Sequence, residues 1–559
     1  MLANDILDAA WLPGDVYTLR LIGGETQVQR WSRSNYVQTG TLVVRGRPVR
    51  IFRLSDTQLV VVTNVLGTPV FTVIGADLGG VTPGPASVFA GSYFGNVGSA
   101  AGNFALHVRR DGTAVLLLFA TSPRVGLLAS SVSIASDGTF AGTGHDAITR
   151  AFSAVAGAIA ADGAISGSVA QIALTFSGRK STGSAASPAV YQAAAINSTA
   201  ADAYAVTGAD GSVFLLALGN GVVEGGAALV GANGRFTAGG GTGTNLSVTL
   251  DSATGSLTAR GDAGAFAGAA FAGLREDVPR TDRLANISTR GQAGAGDDVM
   301  IAGFVLAGNA PRPVLIRAIG PTLGGFGVPG VLMDPRLALY RDGTKLFEND
   351  NWSSAPDVVA TTAGVGAFPL ATGSADAVLL ATLDPGAYSA QVSGPVGVAG
   401  NALVEVYDAG ASSAATAPRL VNIATRGRLA SPGDSLTAGL VVTGNAPRRV
   451  LIRAVGPGLT SFGVAGALAD PILFISSVSG PNGAATIASN DDWTVTVPGA
   501  ATAADIAAVG SAAGAFPLIG ASRDACLLLT LSPGNYTAQV LGKNNSTGIA
   551  LIEVYQAGN

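Results

Sequence analysis

Along most of this chain the apolar positions fall into short runs of five to eight residues that end at Gly, Asp-Gly, Asn-Gly or Pro-Gly. Few windows hold a 3.6-residue apolar period for more than two turns. That pattern predicts strands joined by tight turns, because Asp-Gly and Asn-Gly accept the positive φ that two-residue hairpins need. Segments 16–22, 27–31, 41–54 and 58–74 read as the strands of a first small β unit within 1–80, and Val81-Thr82-Pro83-Gly84-Pro85 reads as the linker behind it. Between 88 and 273 the turns recur at matching places: Asp111-Gly112 answers Asp210-Gly211, and Asp137-Gly138 answers Asn233-Gly234. Two antiparallel meanders, 88–180 and 188–273, follow from that spacing, either as two sheets or closed together into one barrel. The Gly-rich stretch 238–244 is expected to form a loop or a weakly ordered strand.

The second half of the chain is written twice. Residues 283–408 begin Arg-Leu-Ala-Asn-Ile-Ser-Thr-Arg-Gly and end Leu-Val-Glu-Val-Tyr-Asp; residues 419–556 begin Arg-Leu-Val-Asn-Ile-Ala-Thr-Arg-Gly and end Leu-Ile-Glu-Val-Tyr-Gln. A tandem copy of this length predicts a domain duplication, with the copies at 283–410 and 419–559 each burying its own core and with linkers at 274–282 and 411–418. The fold class expected is therefore all-β and multidomain: meander or barrel-like units followed by two tandem β-sandwich, jelly-roll-like modules.

Composition narrows the function. Charged residues are only 12% of the chain and the net charge is −4, so there is no basic field for nucleic acid and no Lys/Arg run to hold an anionic membrane surface. The mean hydropathy of +0.42 is high, yet no run reaches the roughly 18 uninterrupted apolar residues of a membrane helix. An outer-membrane barrel at 88–273 is disfavoured because aromatic residues total 6% and form no repeated girdles, and because the last strand, before Ala557-Gly558-Asn559, does not end on an aromatic residue. Met1–Asp8 shows neither the basic nor the apolar part of a secretory leader. One cysteine, Cys526, allows no intrachain disulfide framework.

The duplication points to candidate residues. Arg317 and Arg453 sit in the middle of the apolar strands Val314-Leu315-Ile316-Arg317-Ala318-Ile319 and Val450-Leu451-Ile452-Arg453-Ala454-Val455, and Glu405 and Glu553 occupy the closing strands. Period-2 alternation sets each charge among apolar neighbours, so structural Arg317–Glu405 and Arg453–Glu553 ion pairs are expected; an arginine open to an anionic ligand is the functional alternative. Asn349-Asp350-Asn351-Trp352 and Asn490-Asp491-Asp492-Trp493 are the most chemically suggestive motifs. Oxygens from Asp350, Asp491 and Asp492 could wrap Ca²⁺, and Trp352 or Trp493 could stack on a sugar ring. EF-hand spacing is missing from both, so the expectation is a tight turn with a core-packed Trp and no resident cofactor. Catalytic material is scarce. His107 and His145 are the only histidines and neither is duplicated, while Cys526 aligns with Val378 and reads as a small core residue.

Residues 287–291, 314–321, 349–352, 384–388 and 404–407 resemble the repeated β-modules at the ends of large exported proteins of Verrucomicrobia-type bacteria. More loosely, Pro385–Val392 and Pro533–Val540 are similar to the jelly-roll domains that follow secreted bacterial peptidases. These resemblances imply an extracellular or cell-surface β protein without catalytic residues of its own. The function expected is a surface, adhesion or spacer element; the alternative is a carbohydrate-binding accessory region of a larger secreted hydrolase. Its partners would be polysaccharide or another surface protein.

Overall fold

The computed structural model describes residues 6–557 apart from 13–14, 23–24, 33–37, 45–46, 54–57, 66–67, 76–86, 99–100, 150, 197–200, 220, 240–244, 279, 309, 411–417, 481–482, 496–500 and 521. The chain is all-β, with two short helices and a few 3-10 turns among the described residues, and it divides into two compact units: residues 1–195 with 200–279, and residues 280–559 with 196–199. Among the described residues no helix is long and apolar enough to cross a membrane. The linker expected at 81–85 lies outside the described residues, as do 240–244 of the Gly-rich stretch and 411–417 of the last linker.

In the first unit, the opening segment holds more strands than the apolar runs suggested. A four-stranded sheet starts at Ile6–Leu12, and the runs 41–54 and 58–74 each divide into two strands, giving Gln38–Val44, Arg47–Arg53, Gln58–Val65 and Thr68–Gly75. The eight strands from Gly91–Val97 to Leu174–Lys180 then close into a barrel by themselves, the last pairing back onto the first. Eight strands leave room for side chains alone, and Tyr93, Phe104, Leu116, Leu118, Phe140 and Phe176 fill the interior. Outward positions on the later strands, such as Thr139, Thr143, Thr175 and Arg179, face water, the reverse of a membrane barrel's apolar exterior and polar lumen.

The strands from Ala189–Ala195 to Ala270–Arg275 form a second eight-stranded sheet in the same meander order. It stays open between Val222–Leu229 and Arg235–Ala238, whereas the matching pair in the first barrel is bonded. A further cluster, including Ala105, Leu117, Phe119, Tyr204, Phe214 and Leu216, packs the outer face of the barrel against the outer face of this second sheet. Alternation cannot show this, because both faces of those strands are apolar.

The second unit holds both copies. Its strands are β1 (Arg283–Ala293), β2 (Met300–Ala307), β3 (Arg312–Ile319), β4 (Arg336–Arg341), β5 (Thr344–Asn349), β6 (Ala377–Leu383), β7 (Gly386–Ser393) and β8 (Gly400–Asp408). The twins follow in the same order: β9 (Arg419–Leu429), β10 (Ser435–Thr443), β11 (Arg448–Val455), β12 (Pro471–Gly480), β13 (Gly483–Asn490), β14 (Ala525–Leu531), β15 (Gly534–Gly542) and β16 (Gly548–Gln556). Helices α1 (Pro356–Gly364) and α2 (Ala503–Ala512) lie between the fifth and sixth strands of each copy. Thr502 and Asp505 close a capping box on α2.

Here the expectation of two self-contained modules is overturned. All sixteen strands belong to one hydrogen-bonded network. One row runs β5-β4-β7-β2-β9-β16-β11-β14 and the other β13-β12-β15-β10-β1-β8-β3-β6, so each row takes four strands from each copy. The first strand of each copy pairs with the second strand of its sister. A single apolar core collects Ile287, Phe304, Ile316 and Val404 from one copy with Ile423, Leu440, Ile452 and Val554 from the other.

The two joints share one register. Ile287 faces Leu440 and Ile423 faces Phe304, which are twin pairs, and both joints carry a bulge at the same place, beside Asn286 and beside Asn422. The Thr289 and Thr425 hydroxyls, themselves twins and fully buried, lie 2.8 Å apart. Gln292 likewise pairs with its own twin, Arg428. A residue that meets its own counterpart lies on a two-fold axis, so the copies are related as the halves of an isologous dimer.

Candidate functional site

Strand β3 lies between β6 and β8, with Arg317 opposite Glu405. Val314, Ile316 and Ala318 point into the shared core, while Leu315, Arg317 and Ile319 face a smaller layer built from Trp352, Val378 and Tyr407 with α1 and the loop behind it. The sheet is therefore covered on both sides and the Arg317 side chain is fully buried. Its Nε donates to Glu405 at 2.8 Å and Nη2 adds a second, shorter bond to the same oxygen. Nη1 donates to the Phe368 carbonyl at 2.7 Å, and the Phe368 ring sits 4.5 Å from the guanidinium. The Tyr407 hydroxyl donates to the other Glu405 oxygen at 2.8 Å. Burial, then the neighbouring carboxylate, pushes the Tyr407 phenol well above its usual range.

The second copy rebuilds the arrangement atom for atom. Arg453 Nε reaches Glu553 at 2.7 Å, Nη1 reaches the Phe516 carbonyl at 2.6 Å, the Phe516 ring lies 4.3 Å away, and the Tyr555 hydroxyl donates to Glu553 at 2.8 Å. Each donor drawn here ends on a protein acceptor, which is what lets such a pair survive burial.

The motifs around Trp352 and Trp493 are placed by the same economy of bonds. Asn349 accepts from the Val378 amide at 2.9 Å and Asn490 from the Cys526 amide at 2.8 Å, clipping the loop to β6 and β14. Both asparagines also donate to the carbonyl two residues on, at Asn351 and Asp492. Trp352 and Trp493 are 9% and 8% exposed and belong to the layers beneath α1 and α2. Neither ring offers an open face to a sugar, so both fall out as stacking platforms. The carboxylates turn outward to cations instead of converging on a point: Asp350 lies 3.5 Å from Arg336, and Asp491 lies 2.5 Å from Lys543. Among the described residues no group of three or more His, Cys, Asp or Glu is placed to hold a metal.

Several important side chains carry no motif. Asp376 and Asp524 are fully buried and accept from the Gly320 and Gly456 amides at 2.8 Å. There they cap the 3-10 turns that open at Pro321 and Pro457, with Ser374 and Ser522 as further donors. Their identity in both copies, directly before an apolar strand, was the available signal. Twin arginines Arg312 and Arg448 find different carboxylates. Arg312 holds Asp408, whereas Arg448 holds Asp282 from the stretch expected to be a free linker. Asp282 is 6% exposed, so that linker is partly built into the fold. A cavity of about 610 Å³ lies beside it, lined by Arg283, Thr281, Thr361, Thr443 and Asp408.

Cys526 is buried in the α2 layer, and desolvation pushes its thiol up to about 12, which leaves it neutral and unreactive at ordinary pH. In the barrel, the Ser92 hydroxyl donates to the Thr207 carbonyl at 2.7 Å and so accepts from His107 Nδ1 at 2.9 Å. This is the reverse of a nucleophile activated by a base, which must give its proton to the imidazole. His145 packs on Phe152, with ring centres 5.3 Å apart.

Fold and site together define a modular all-β protein whose duplicated polar residues bind one another. No protein-family description matches the chain, and neither does any curated protein. Among solved structures it is similar to the WD40 domain of SCAP from fission yeast, at 11% identity over 97% of this chain and 96% of that one, with a TM-score of 0.14. A likeness at that score carries no argument about architecture or function.

Proposed function

We propose that this chain is a non-catalytic, exported, modular β protein that serves as a surface, adhesion or spacer element, its C-terminal copies being jelly-roll-like β-sandwiches fused to each other. One observation carries the reading: the polar residues that duplication retained, Arg317, Glu405, Tyr407, Asp376 and Asn349 with their twins, end on other groups of the same unit. Selection that keeps such residues keeps architecture rather than a reaction. The test is protease shaving of intact bacteria that carry the native gene, followed by blotting for this chain. Loss of the chain from intact cells is expected; a chain protected until lysis would overturn export.

A second reading, contact with polysaccharide, keeps one supporting observation after the Trp rings are removed from it. Phe326 and Phe462 are twins and are 63% and 61% exposed, each set edge-on to a half-covered phenylalanine, Phe368 or Phe516, at 4.9 Å. Exposed aromatics at the same point of both copies suit stacking on a sugar ring. Retention on insoluble polysaccharide that disappears in Phe326→Ala/Phe462→Ala, with melting unchanged, would favour this reading over a plain spacer.

A further inference from the structure

The joint between the copies is built from strands that the two copies hold in common. β1 and β9 are identical at seven of eleven positions: Arg283/Arg419, Leu284/Leu420, Asn286/Asn422, Ile287/Ile423, Thr289/Thr425, Arg290/Arg426 and Gly291/Gly427. β2 and β10 replace one apolar core residue by another at Met300/Leu436, Phe304/Leu440 and Leu306/Val442. Each joint makes seven residue pairings in the same register with the same bulge. Register is set by the alternation of buried positions and not by chain order, so each copy presents a first strand that fits the second strand of any other copy, and a second strand that fits its first.

We propose that this edge is a homotypic docking surface whose cognate is a second copy of the same module, and that the chain carries a homodimer interface internalised by duplication. Three observations support it independently of the export reading. The edge is self-complementary about a two-fold axis, as an isologous dimer requires. Its centre is a contact between twins, Thr289 with Thr425, both fully buried. The sister copy already occupies it through both strands. Within one chain the tether of ten residues, 409–418, keeps the sister copy at high effective concentration. Docking between chains therefore has to be won during folding, when the copies are not yet joined, and its product is an exchanged dimer in which copies from two chains share one core.

The experiment uses the full chain on a Cys526→Val background, which the sister copy's Val378 already accommodates. Chains carrying Thr289→Cys and chains carrying Thr425→Cys are mixed, unfolded, and refolded together in a glutathione buffer over a range of concentrations. Disulfide-linked dimers, mapped by mass spectrometry to positions 289 and 425, are expected to rise at least tenfold from the lowest to the highest concentration. They should stay near background when the same chains are mixed already folded. Equal dimer from folded and refolded mixtures would mean surface collision and would overturn the proposal, as would no interchain disulfide at any concentration. Thr289→Cys/Thr425→Cys in a single chain at low concentration must close its own disulfide; failure to do so would remove the axis and the proposal with it.

Discussion

Removing Arg317 is the sharpest test of how the second unit is held together. The guanidinium is fully buried and makes two bonds to Glu405 and one to the Phe368 carbonyl. Arg317→Ala leaves Glu405 buried with only the Tyr407 hydroxyl of this network, and leaves the Phe368 carbonyl without its donor. Breaking a buried pair by deleting one partner costs about 3–5 kcal/mol, whereas an exposed pair costs under about 1. The sister pair, Arg453–Glu553, should give the same range, since its bonds match to within a few tenths of an ångström. The assay is urea unfolding followed by fluorescence with Trp11 and Trp31 replaced by Phe, so that emission comes from Trp352 and Trp493 beside the two networks. A double-mutant cycle with Glu405→Gln should return a coupling of roughly 2 kcal/mol or more, because the residues are in direct contact. A loss below about 1 kcal/mol for Arg317→Ala, with negligible coupling, would refute the burial argument.

Asp376→Ala or Asp524→Ala should destabilise by about 2–4 kcal/mol in the same assay, because a charged acceptor for a buried glycine amide and a serine hydroxyl is lost. Trp352→Ala should cost about 3–5 kcal/mol through cavity formation, and at temperatures where the variant is folded its retention on polysaccharide should equal that of the parent. Cys526→Val should cost within about 1.5 kcal/mol. The folded thiol titrates near 12 against 9.0 for an ordinary one, so its neutral form supports the fold below pH 9 and that support is lost as pH rises from 9 toward 12. Alkaline melting of the parent should therefore fall more steeply than that of Cys526→Val, and identical slopes would contradict the buried thiol.

How much of this was legible beforehand depends on whether the signal was local. Alternation along Leu315-Arg317-Ile319 and Leu403-Glu405-Tyr407 already set each charge among apolar neighbours, and the repeated Asp-Gly and Asn-Gly turns already marked the meanders, because side-chain period and turn geometry are properties of a few adjacent residues. The role of Asp376 was not legible, since the amides it caps are those of Gly320 and Thr322, more than fifty residues earlier. A core-packed Trp was the expectation at both motifs, but what covers each ring was not legible, because the covering layers, such as the one built with α1, come from elsewhere in the chain.

The sequence by itself determined the all-β class, the position of most strands, and that the last half is one module repeated. Only the tertiary structure decided which strand lies beside which. Backbone hydrogen bonding is nearly blind to side chains, so β1 carries the same pattern whether its neighbour is β2 of its own copy or β10 of the sister. Both meanders bring their distant first and last strands together, yet the second stays open between two strands that are neighbours in sequence, Val222–Leu229 and Arg235–Ala238. Non-local pairing, chosen by the burial of a shared core, made one sixteen-stranded unit from two copies that each read as a domain.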